Sequence, residues 1–358
     1  MSIPRLVPYR SLGAEAWDRF VRAHPHHAPG HLSATLELEQ RQGAAIDASF
    51  ALVDEADRVV AVCPLVDGKE RQLRIIPQRI RGSGTWFAAG PLADTTRGAK
   101  VAAELLQQVV EHLVTTARQD GVHRLLFSYP AVAGPASAVD ALGYFPLRRF
   151  GFTDGNRVTQ LIRLEGSEET LFAALDAKAR NKVRRAEGLG CVVEPIDSPA
   201  QWASTWPRYA ETLGPLAMRQ EAFVSIYDAF IAPGDAVALQ VLHEGRVACV
   251  VTVSMVNGAA YYWLGFGAQQ DGPPGANVLG LWRGILLARA RGARLFEVGS
   301  LDFDEGKQGR IAAFKQQFGG RPCVAFTGTL ELTPFRHHAL ALLSLVAAAA
   351  RRRFRSSR

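Results

Sequence analysis

The chain has 358 residues, a length that corresponds to about two domains. Hydrophobic residues make up 48% and charged residues 21%, a composition that excludes a disordered chain. The net charge is +7, but residues 336–358 carry six arginines and no acid, so residues 1–335 hold 35 bases against 34 acids. The positive charge is therefore local, which argues against a protein that coats nucleic acid along its whole surface.

The cysteines indicate a reducing compartment. They form no CxxC pair, and Cys63, Cys249 and Cys323 lie in apolar, strand-like runs, where a cysteine is usually a small buried hydrophobe. The N-terminus has no apolar signal core, and the longest apolar stretch, residues 339–350, has 12 residues, fewer than the roughly 20 that cross a bilayer. We therefore expect a cytoplasmic protein without a transmembrane segment.

The first half of the chain mixes strands with helices. In chain order its predicted elements are a β-hairpin at about 48–66, a strand region at about 72–89, the loop AGPLADTTRG, a long helix at about 97–119, a strand at 123–129, a short helix at about 135–142 and a strand at 157–164. A helix from Ser167 to Gly188 follows, because serine is a good N-cap and glycine ends helices. The strand CVVEPI and further helix at about 200–230 come next.

The second half repeats the order of the first. Its predicted elements are a hairpin at 236–256, the strand AAYYWLGF, the loop GAQQDGPPGAN, a helix at 278–291, a strand at 294–299, a helix at about 309–317 and a strand at 322–332. Two sequence matches support a duplication: ARQDGVHRLLF with ARARGARLFEV, and FALVDEADRVVAVCPL with ALQVLHEGRVACVVTV. The fold class is therefore α/β (α+β), with two copies of a mixed central sheet flanked by helices.

Three stretches of the second half carry a family resemblance. They are KARNKVRRAEGLGCVVE, the segment from YYWLGF to the strand ending at Gly299, and GRIAAFKQQFGG. In these the chain resembles the GNAT-type acyltransferases, specifically the double-domain Fem-like branch, clearly over roughly 160–332 and weakly in the first half. The resemblance implies tandem GNAT-like domains: residues 1–165 as a degenerate copy on the acceptor side, 166–335 with the donor site, and 336–358 as an apolar helix with a basic tail.

The loop Gly272–Asn277 is the first candidate site. A glycine-rich turn at a helix N-terminus exposes backbone N–H groups beside the positive end of the helix dipole, and can hold a pyrophosphate. The resemblance places the acyl donor's pyrophosphate here. Pro273 and Pro274 remove two N–H donors, which counts against coenzyme A and leaves a plain surface turn as the alternative. The donor-binding residues that we expect in this loop and helix are Gly275, Ala276, Asn277 and Val278.

The strand before that loop is the second candidate. In the resembled fold this strand splays from its neighbour and offers backbone N–H groups to the acyl carbonyl, where they stabilise the oxyanion of acyl transfer. We therefore assign Gly265, Phe266 and Gly267 to donor binding, and Tyr262 to the acceptor side. Ordinary aromatic core packing remains the alternative for Tyr261, Tyr262 and Trp263.

Lys315 and Glu297 are the candidate catalytic residues. The resemblance associates a lysine at the place of Lys315 with the substrate or with developing negative charge, for which a compact ammonium is suited. Glu297 lies on the strand next to the donor site, where a carboxylate could accept the proton of the attacking amine. The alternatives are a solvated lysine on an amphipathic helix and an enzyme that needs no dedicated base.

The internal basic run is a candidate anion-binding surface. At helical spacing Lys178, Lys182 and Arg185 share one face, and Arg180 and Arg184 share another. They could hold the diphosphate of a nucleotide- or lipid-linked acceptor, or the acceptor stem of a tRNA. A solvated helix face is the alternative.

Other chemistries find little support. The cluster of His24, His26, His27 and His31 is broken by prolines and lacks the ligand spacing of a zinc site, so we expect no metal. Motifs of covalent hydrolases (GxSxG), dinucleotide-binding enzymes (GxGxxG) and P-loop NTPases are absent from the sequence.

The sequence thus predicts an N-acyltransferase in which an amine attacks the acyl donor directly. The expected cosubstrate is an acyl-coenzyme A or an aminoacyl-tRNA, with no permanently bound cofactor. The expected acceptor is an amine of a small, lipid-linked or nucleotide-linked molecule of the cell envelope or of polysaccharide synthesis. The alternative is a non-catalytic Fem-like scaffold that binds RNA or anionic membrane through its basic segments, with the C-terminal tail on the inner face of the membrane.

Overall fold

The computed structural model describes residues 4–46, 48–72, 76–84, 89–132, 145–267, 272–302 and 306–333. The strands are β1 (Arg5–Pro8), β2 (Phe50–Val53), β3 (Val59–Cys63), β4 (Val66–Gln72), β5 (Ile76–Gly82), β6 (Leu92–Ala93), β7 (Arg124–Tyr129), β8 (Thr153–Asp154), β9 (Arg157–Arg163), β10 (Val192–Pro195), β11 (Ala236–His243), β12 (Arg246–Val256), β13 (Ala259–Gly267), β14 (Leu295–Glu297) and β15 (Arg321–Glu331). The helices are α1 (Tyr9–Leu12), α2 (Ala14–Ala23), α3 (Ser33–Arg41), α4 (Ala99–Gln119), α5 (Glu168–Ala173), α6 (Ala177–Gly188), α7 (Pro199–Ser204), α8 (Trp206–Leu213), α9 (Gln220–Ile226), α10 (Ala276–Ala290) and α11 (Lys307–Gln316).

Both halves of the chain contribute to one long mixed sheet. Its order is β10-β11-β12-β13-β14-β9-β15-β7-β5-β4, with β8 paired to β15, and a smaller sheet has the order β1-β2-β3-β6. The pairs β13–β14 and β5–β7 are parallel, and each is joined by a helix, α10 or α4. Each half therefore contains one βαβ unit, as expected for a duplicated α/β domain.

Two strands cross between the halves. β9, predicted as the last strand of the first half, pairs with β14 and with the first part of β15. The second part of β15, from Phe326 to Glu331, pairs antiparallel with β7 of the first half. The boundary at residues 165 and 166 remains a prediction, but the sheet on each side of it is completed by a strand from the other side.

Three apolar cores hold the layers together. One packs α6 and α10 on the second-half strands, with Trp282, Ile285 and Phe296 buried. Another packs α4 on the first-half strands. The third joins the halves, because Trp17 of α2 and the aromatic group of Trp202, Phe223 and Phe266 belong to one buried cluster. Deep burial of such large side chains on both sides makes the halves one folding unit.

The helical segment after Ser167 is interrupted. Ser167 caps α5 as predicted, through a bond from the Thr170 N–H, but the helix ends at Ala173. Asp176 then caps α6 by accepting a hydrogen bond from the Lys178 N–H at 2.8 Å. An aspartate just before a basic helical run is an N-cap signal, so one predicted helix becomes two.

The fold class is confirmed: mixed sheets flanked by helices, with a β-hairpin and a βαβ unit in each half. The predicted helices at 135–142 and 336–358 lie outside the described residues. Within the described part of the chain, no helix is long and apolar enough to cross a membrane.

Candidate active site

The unit β13–α10–β14 opens a gap in the long sheet. β13 and β14 pair in parallel at only three positions, the last of which is Tyr261 with Glu297. β13 then continues to Gly267, and no strand among the described residues pairs with that edge beyond Tyr261. Backbone groups of β13 therefore border the gap, where N–H groups could bind the oxygen of an acyl carbonyl.

The glycines of β13 have packing neighbours. A side chain at Gly265 would overlap the Tyr262 hydroxyl, and one at Gly267 would meet the backbone of Ala248 and Cys249. Phe266 is buried against aromatic rings of α8 and α9, with the Tyr209 ring centroid at 5.2 Å. These contacts explain the residue types without a ligand, and the role of the three residues in donor binding stays a prediction.

The N-terminus of α10 lies against α6. Gly275 has a φ of +95°, and a Cβ there would overlap the carbonyl oxygen of Lys182 on α6. Both the backbone conformation and the lack of space therefore require glycine at this position. The Ala276 N–H donates to Pro273, and the Val278 N–H donates to the Asn277 side chain at 3.0 Å. A rotation of the Asn277 side chain would free the Val278 N–H for an anion at the positive end of α10.

Glu297 lies buried at the base of the gap. Only 1% of the residue is exposed, and its Oε2 accepts a hydrogen bond from the Val132 N–H of the first half at 3.0 Å. Burial raises the pKa of the carboxyl to about 7, against the lowering effects of the Val132 N–H, the Thr159 hydroxyl and the Lys315 ammonium. A carboxylate that gains its charge near neutral pH is suited to accept the proton of an ammonium.

Lys315 reaches the same region from α11. Its Nζ donates to the carbonyl oxygen of Ser300 at 2.9 Å, just after β14. Burial lowers the pKa of its ammonium to about 8, although Glu297 and Asp302 act in the opposite direction. The pKa of Glu297 is raised and the pKa of Lys315 is lowered for the same reason. Both groups lie in a region with little solvent, where burial disfavours the charged form of each.

Tyr261 completes this group and was not among the predicted site residues. A Cβ built on Gly299 would lie 3.1 Å from the Tyr261 hydroxyl and 3.2 Å from Lys315 Nζ, so both polar atoms converge over this glycine. Burial and the nearby Glu297 raise the pKa of the Tyr261 hydroxyl well above its usual value. The sequence signal was its position beside Tyr262 on an amphipathic strand, which core packing explains equally well.

The basic run on α6 divides into two sets. Arg180 donates to the carbonyl oxygens of Ala173 and Leu175 at the end of α5, and the Arg184 guanidinium lies over the Phe172 ring at 5.3 Å. Lys178, Lys182 and Arg185 are exposed, and Lys182 Nζ bonds Gln317 at 3.2 Å. Three of the five predicted anion ligands, Arg180, Arg184 and Lys182, therefore already contact protein groups.

Tyr262 lies on the opposite side of β13 from Tyr261. It packs partly against the core beneath α10, and burial raises the pKa of its hydroxyl well above its usual value. Its contact with Gly265 directs the ring along the strand toward the donor loop. Its assignment to acceptor binding remains a prediction.

Comparisons with known proteins identify the fold. No family model matches the chain, and no curated protein matches it either. Among solved structures, FemX has a TM-score of 0.66 at 16% identity, over 94% of this chain and 99% of that one. A tandem GNAT protein from the clavulanic acid biosynthesis pathway has a TM-score of 0.52 at 13% identity, over 92% of this chain and 99% of that one. The chain has the tandem GNAT fold.

A third solved structure with this fold is the C-terminal domain of a putative lysylphosphatidylglycerol synthetase from Agrobacterium fabrum. It has a TM-score of 0.52 at 14% identity, over 88% of this chain and 91% of that one. The resemblance to the GNAT-type, Fem-like proteins is thus confirmed in the fold. At these identities the likeness concerns the fold alone, and the chemistry has to be argued from the residues themselves.

The histidine-rich segment of this chain is a structural connection. His31 Nε2 bonds the Gly90 carbonyl at 2.8 Å, and His24 Nε2 bonds the Ala93 carbonyl at 3.0 Å. His27 Nδ1 lies 2.8 Å from the side-chain nitrogen of Asn257, in the turn between β12 and β13. Burial lowers the pKa of these three histidines, and the described residues contain no group that could hold a metal ion.

Proposed function

We propose that this GNAT-fold protein is an N-acyltransferase that joins an acyl or aminoacyl group to an amine. The observation that carries the proposal is the convergence of Glu297, Lys315 and Tyr261 where β13 and β14 separate. A base, a cation and a hydroxyl donor at the mouth of an open strand edge are what direct acyl transfer requires.

The reaction consists of attack by a neutral amine on the acyl carbonyl of the donor. The amine nitrogen forms the new C–N bond, and the negative charge passes to the carbonyl oxygen, which the β13 backbone and the Lys315 ammonium stabilise. Glu297 accepts the proton that the nitrogen loses. The C–S bond of a thioester, or the C–O bond of an aminoacyl ester, then breaks, and the Tyr261 hydroxyl is placed to protonate the departing sulfur or oxygen.

The donor is an acyl-coenzyme A or an aminoacyl-tRNA. Both present phosphates, which the N-terminus of α10 can receive, and both carry the reactive acyl group at the end of an extended chain. The tandem arrangement and the exposed cations of α6 support an extended, charged donor or acceptor. The acceptor in this proposal is an amine of a small, lipid-linked or nucleotide-linked molecule of the cell envelope or of polysaccharide synthesis.

The test is transfer of label. The protein is incubated with acetyl-coenzyme A or with aminoacyl-tRNA, each labelled in the acyl group, together with a panel of primary amines. Labelled amide should form with one donor class, and Glu297→Gln should abolish it while keeping the fold. If neither donor binds or transfers label, the proposal fails.

A non-catalytic scaffold is the second candidate. Pro273 and Pro274 lack N–H groups in the donor loop, which supports a donor site that no longer binds phosphate. Isothermal titration of the wild type and of Gly275→Ala with coenzyme A and with uncharged tRNA separates the two functions, because in a scaffold the substitution at the start of α10 would change neither affinity.

A further inference from the structure

One exposed stripe on α6 combines cations with aliphatic side chains. Lys178, Lys182, Arg185 and Leu189 are spaced by four, three and four residues, so they lie along one line of the helix surface. Leu189 is the C-cap residue of α6 and is 45% exposed, and Val192, just beyond it, is 54% exposed. We call these five residues, Lys178, Lys182, Arg185, Leu189 and Val192, the α6 stripe.

The cations of the stripe are available for an external partner. Within the described residues neither Lys178 nor Arg185 forms an ion pair, and Lys182 bonds the neutral side chain of Gln317 at 3.2 Å, which leaves its charge uncompensated. Arg180 and Arg184 on the other face contact α5 instead. Two acids are near the stripe in sequence: Asp176 caps α6 through the Lys178 N–H, and Glu187 pairs with Arg283 of α10 at 2.8 Å. The stripe therefore keeps its positive charge at the surface.

The aliphatic end of the stripe decides what kind of partner fits. A nucleic acid would use the three cations but would gain nothing from an exposed leucine and valine. At a bilayer, cations attract anionic headgroups while aliphatic side chains enter the boundary between headgroups and acyl chains. The stripe also borders the loop that enters α10, because Gly275 lies against the Lys182 carbonyl.

We propose that the α6 stripe docks this protein on an anionic lipid surface. This goes beyond the proposed reaction, and docking can be measured without any acyl transfer. The contact is weak and reversible, since it combines three cations with two aliphatic side chains. It would bring the mouth of the donor site close to the membrane surface.

The experiment is co-sedimentation of the full-length protein with vesicles of phosphatidylcholine, with and without phosphatidylglycerol, at low and high salt. Binding should require phosphatidylglycerol and should decrease with salt. Because each cation near an anionic surface contributes about a fivefold change in affinity, Lys178→Glu with Arg185→Glu should weaken binding by about 25-fold or more. Leu189→Ser with Val192→Ser should weaken it several-fold at unchanged charge and leave acyl transfer to a soluble amine unchanged.

Matched controls come from other surfaces. Lys100→Glu with Arg118→Glu makes the same change in net charge on exposed positions of α4, and Leu216→Ser removes an aliphatic side chain that is 69% exposed. Both should bind vesicles as the wild type does. Circular dichroism establishes that every variant is folded.

Three results would overturn the proposal. One is equal vesicle binding by all variants, which would leave the contact to another segment such as the arginine-rich residues 336–358. Another is equal weakening by the α4 controls, which would reduce the effect to net charge. The third is loss of tRNA binding in the α6 charge variant with vesicle binding intact, which would make the cations a nucleic-acid surface.

Discussion

The two βαβ units of this chain begin alike and then differ. Each has three parallel pairs, which end at Tyr261 with Glu297 in the second half and at Gly82 with Leu126 in the first. At equivalent positions the second half thus has a phenol and a carboxyl group, where the first has a glycine and a leucine. The chemistry that we propose has no counterpart in the first half.

The first unit is also closed where the second is open. The Ser83 N–H continues the pairing by donating to Leu126 at 2.9 Å, and the Ser83 hydroxyl donates to the Ala89 carbonyl and accepts from the Ser128 N–H. The Tyr129 ring packs directly on Gly90. The two units share a parallel start of three pairs, and they differ in the side chains that close one strand edge and leave the other open.

The largest effect is expected at Glu297. Replacing it by glutamine keeps the shape and can keep the bond from Val132, but removes the base, so kcat/KM should fall by about 10²–10⁴-fold. The measurement is steady-state transfer to a primary amine. Retention of more than about a tenth of the activity would show that the open unit does not use this carboxyl as its base.

The same substitution should not cost stability. Burial raises the folded-state pKa of Glu297 above its usual value, so its folded form binds more protons and its contribution to stability falls as pH rises from about 4.5 to about 7. Glutamine avoids this loss, which amounts to about 3 kcal/mol above pH 7. Thermal unfolding should give Glu297→Gln an equal or higher Tm than the wild type at about pH 8, and similar values at about pH 4.

Lys315 should follow with a smaller effect. Lys315→Met keeps the apolar stem and removes the ammonium, so kcat should fall by about 10²-fold with little change in KM for the amine. Lys307→Met, at the exposed start of the same helix, is the matched control and should keep full activity. Equal activity of both variants would remove Lys315 from the mechanism.

The pH profile should show both groups. Transfer needs ionised Glu297 and charged Lys315, so kcat/KM should rise as pH passes about 7 and fall as it passes about 8. Lys315→Met should lose the alkaline limb and should move the acid limb to higher pH, because the ammonium lowers the pKa of Glu297. An acid limb near the pKa of an ordinary glutamate would show that a group other than Glu297 is the base.

Gly275 and Gly98 compare the two helix starts directly. Both have positive φ, but a Cβ at Gly275 overlaps Lys182, whereas a Cβ at Gly98 meets nothing within 4 Å. Gly275→Ala should therefore raise the donor KM several-fold and destabilise the protein by about 2–4 kcal/mol; Gly98→Ala should cost about 1–2 kcal/mol of strain with KM unchanged. An equal donor KM in both variants would show that the N-terminus of α10 does not bind the donor.

The smallest effect is expected in the closed unit. Ser83→Ala removes hydrogen bonds that join β5 to β7 and should destabilise the protein by about 1–2 kcal/mol, measured by urea unfolding. Its kcat should equal that of the wild type, because the first half supplies no reacting group. A large loss of kcat would show that the closed unit also takes part in the reaction.

Local sequence patterns predicted most of the elements and the duplication, because hairpins, glycine ends and apolar periodicity are encoded within a few residues. They could not predict that β9 and β15 pair across the halves, since strand pairing depends on contacts between residues far apart in the chain. For the same reason they could not predict the hydrogen bond between Val132 and Glu297, which are 165 positions apart in the chain. Glu297 and Lys315 were predicted from a motif and a strand position; their mutual arrangement with Tyr261 required the fold.

Patterns of charge were also ambiguous without contacts. The five cations of α6 are equivalent in the sequence, yet Arg180 and Arg184 contact α5 while the other three are exposed, with Lys182 bonded to the neutral Gln317. Helical spacing separated the two sets correctly, but only the neighbouring helix shows which set has partners.

The position of β15 has a consequence for how the protein is made. β7 leaves the ribosome long before β15, which is about 200 residues away and provides one of its two neighbours in the sheet. At about 5–20 residues per second, the first half waits on the order of ten to forty seconds with an unpaired strand edge. Because such an edge pairs readily with other chains, we expect aggregation of the nascent first half to compete with completion of the sheet.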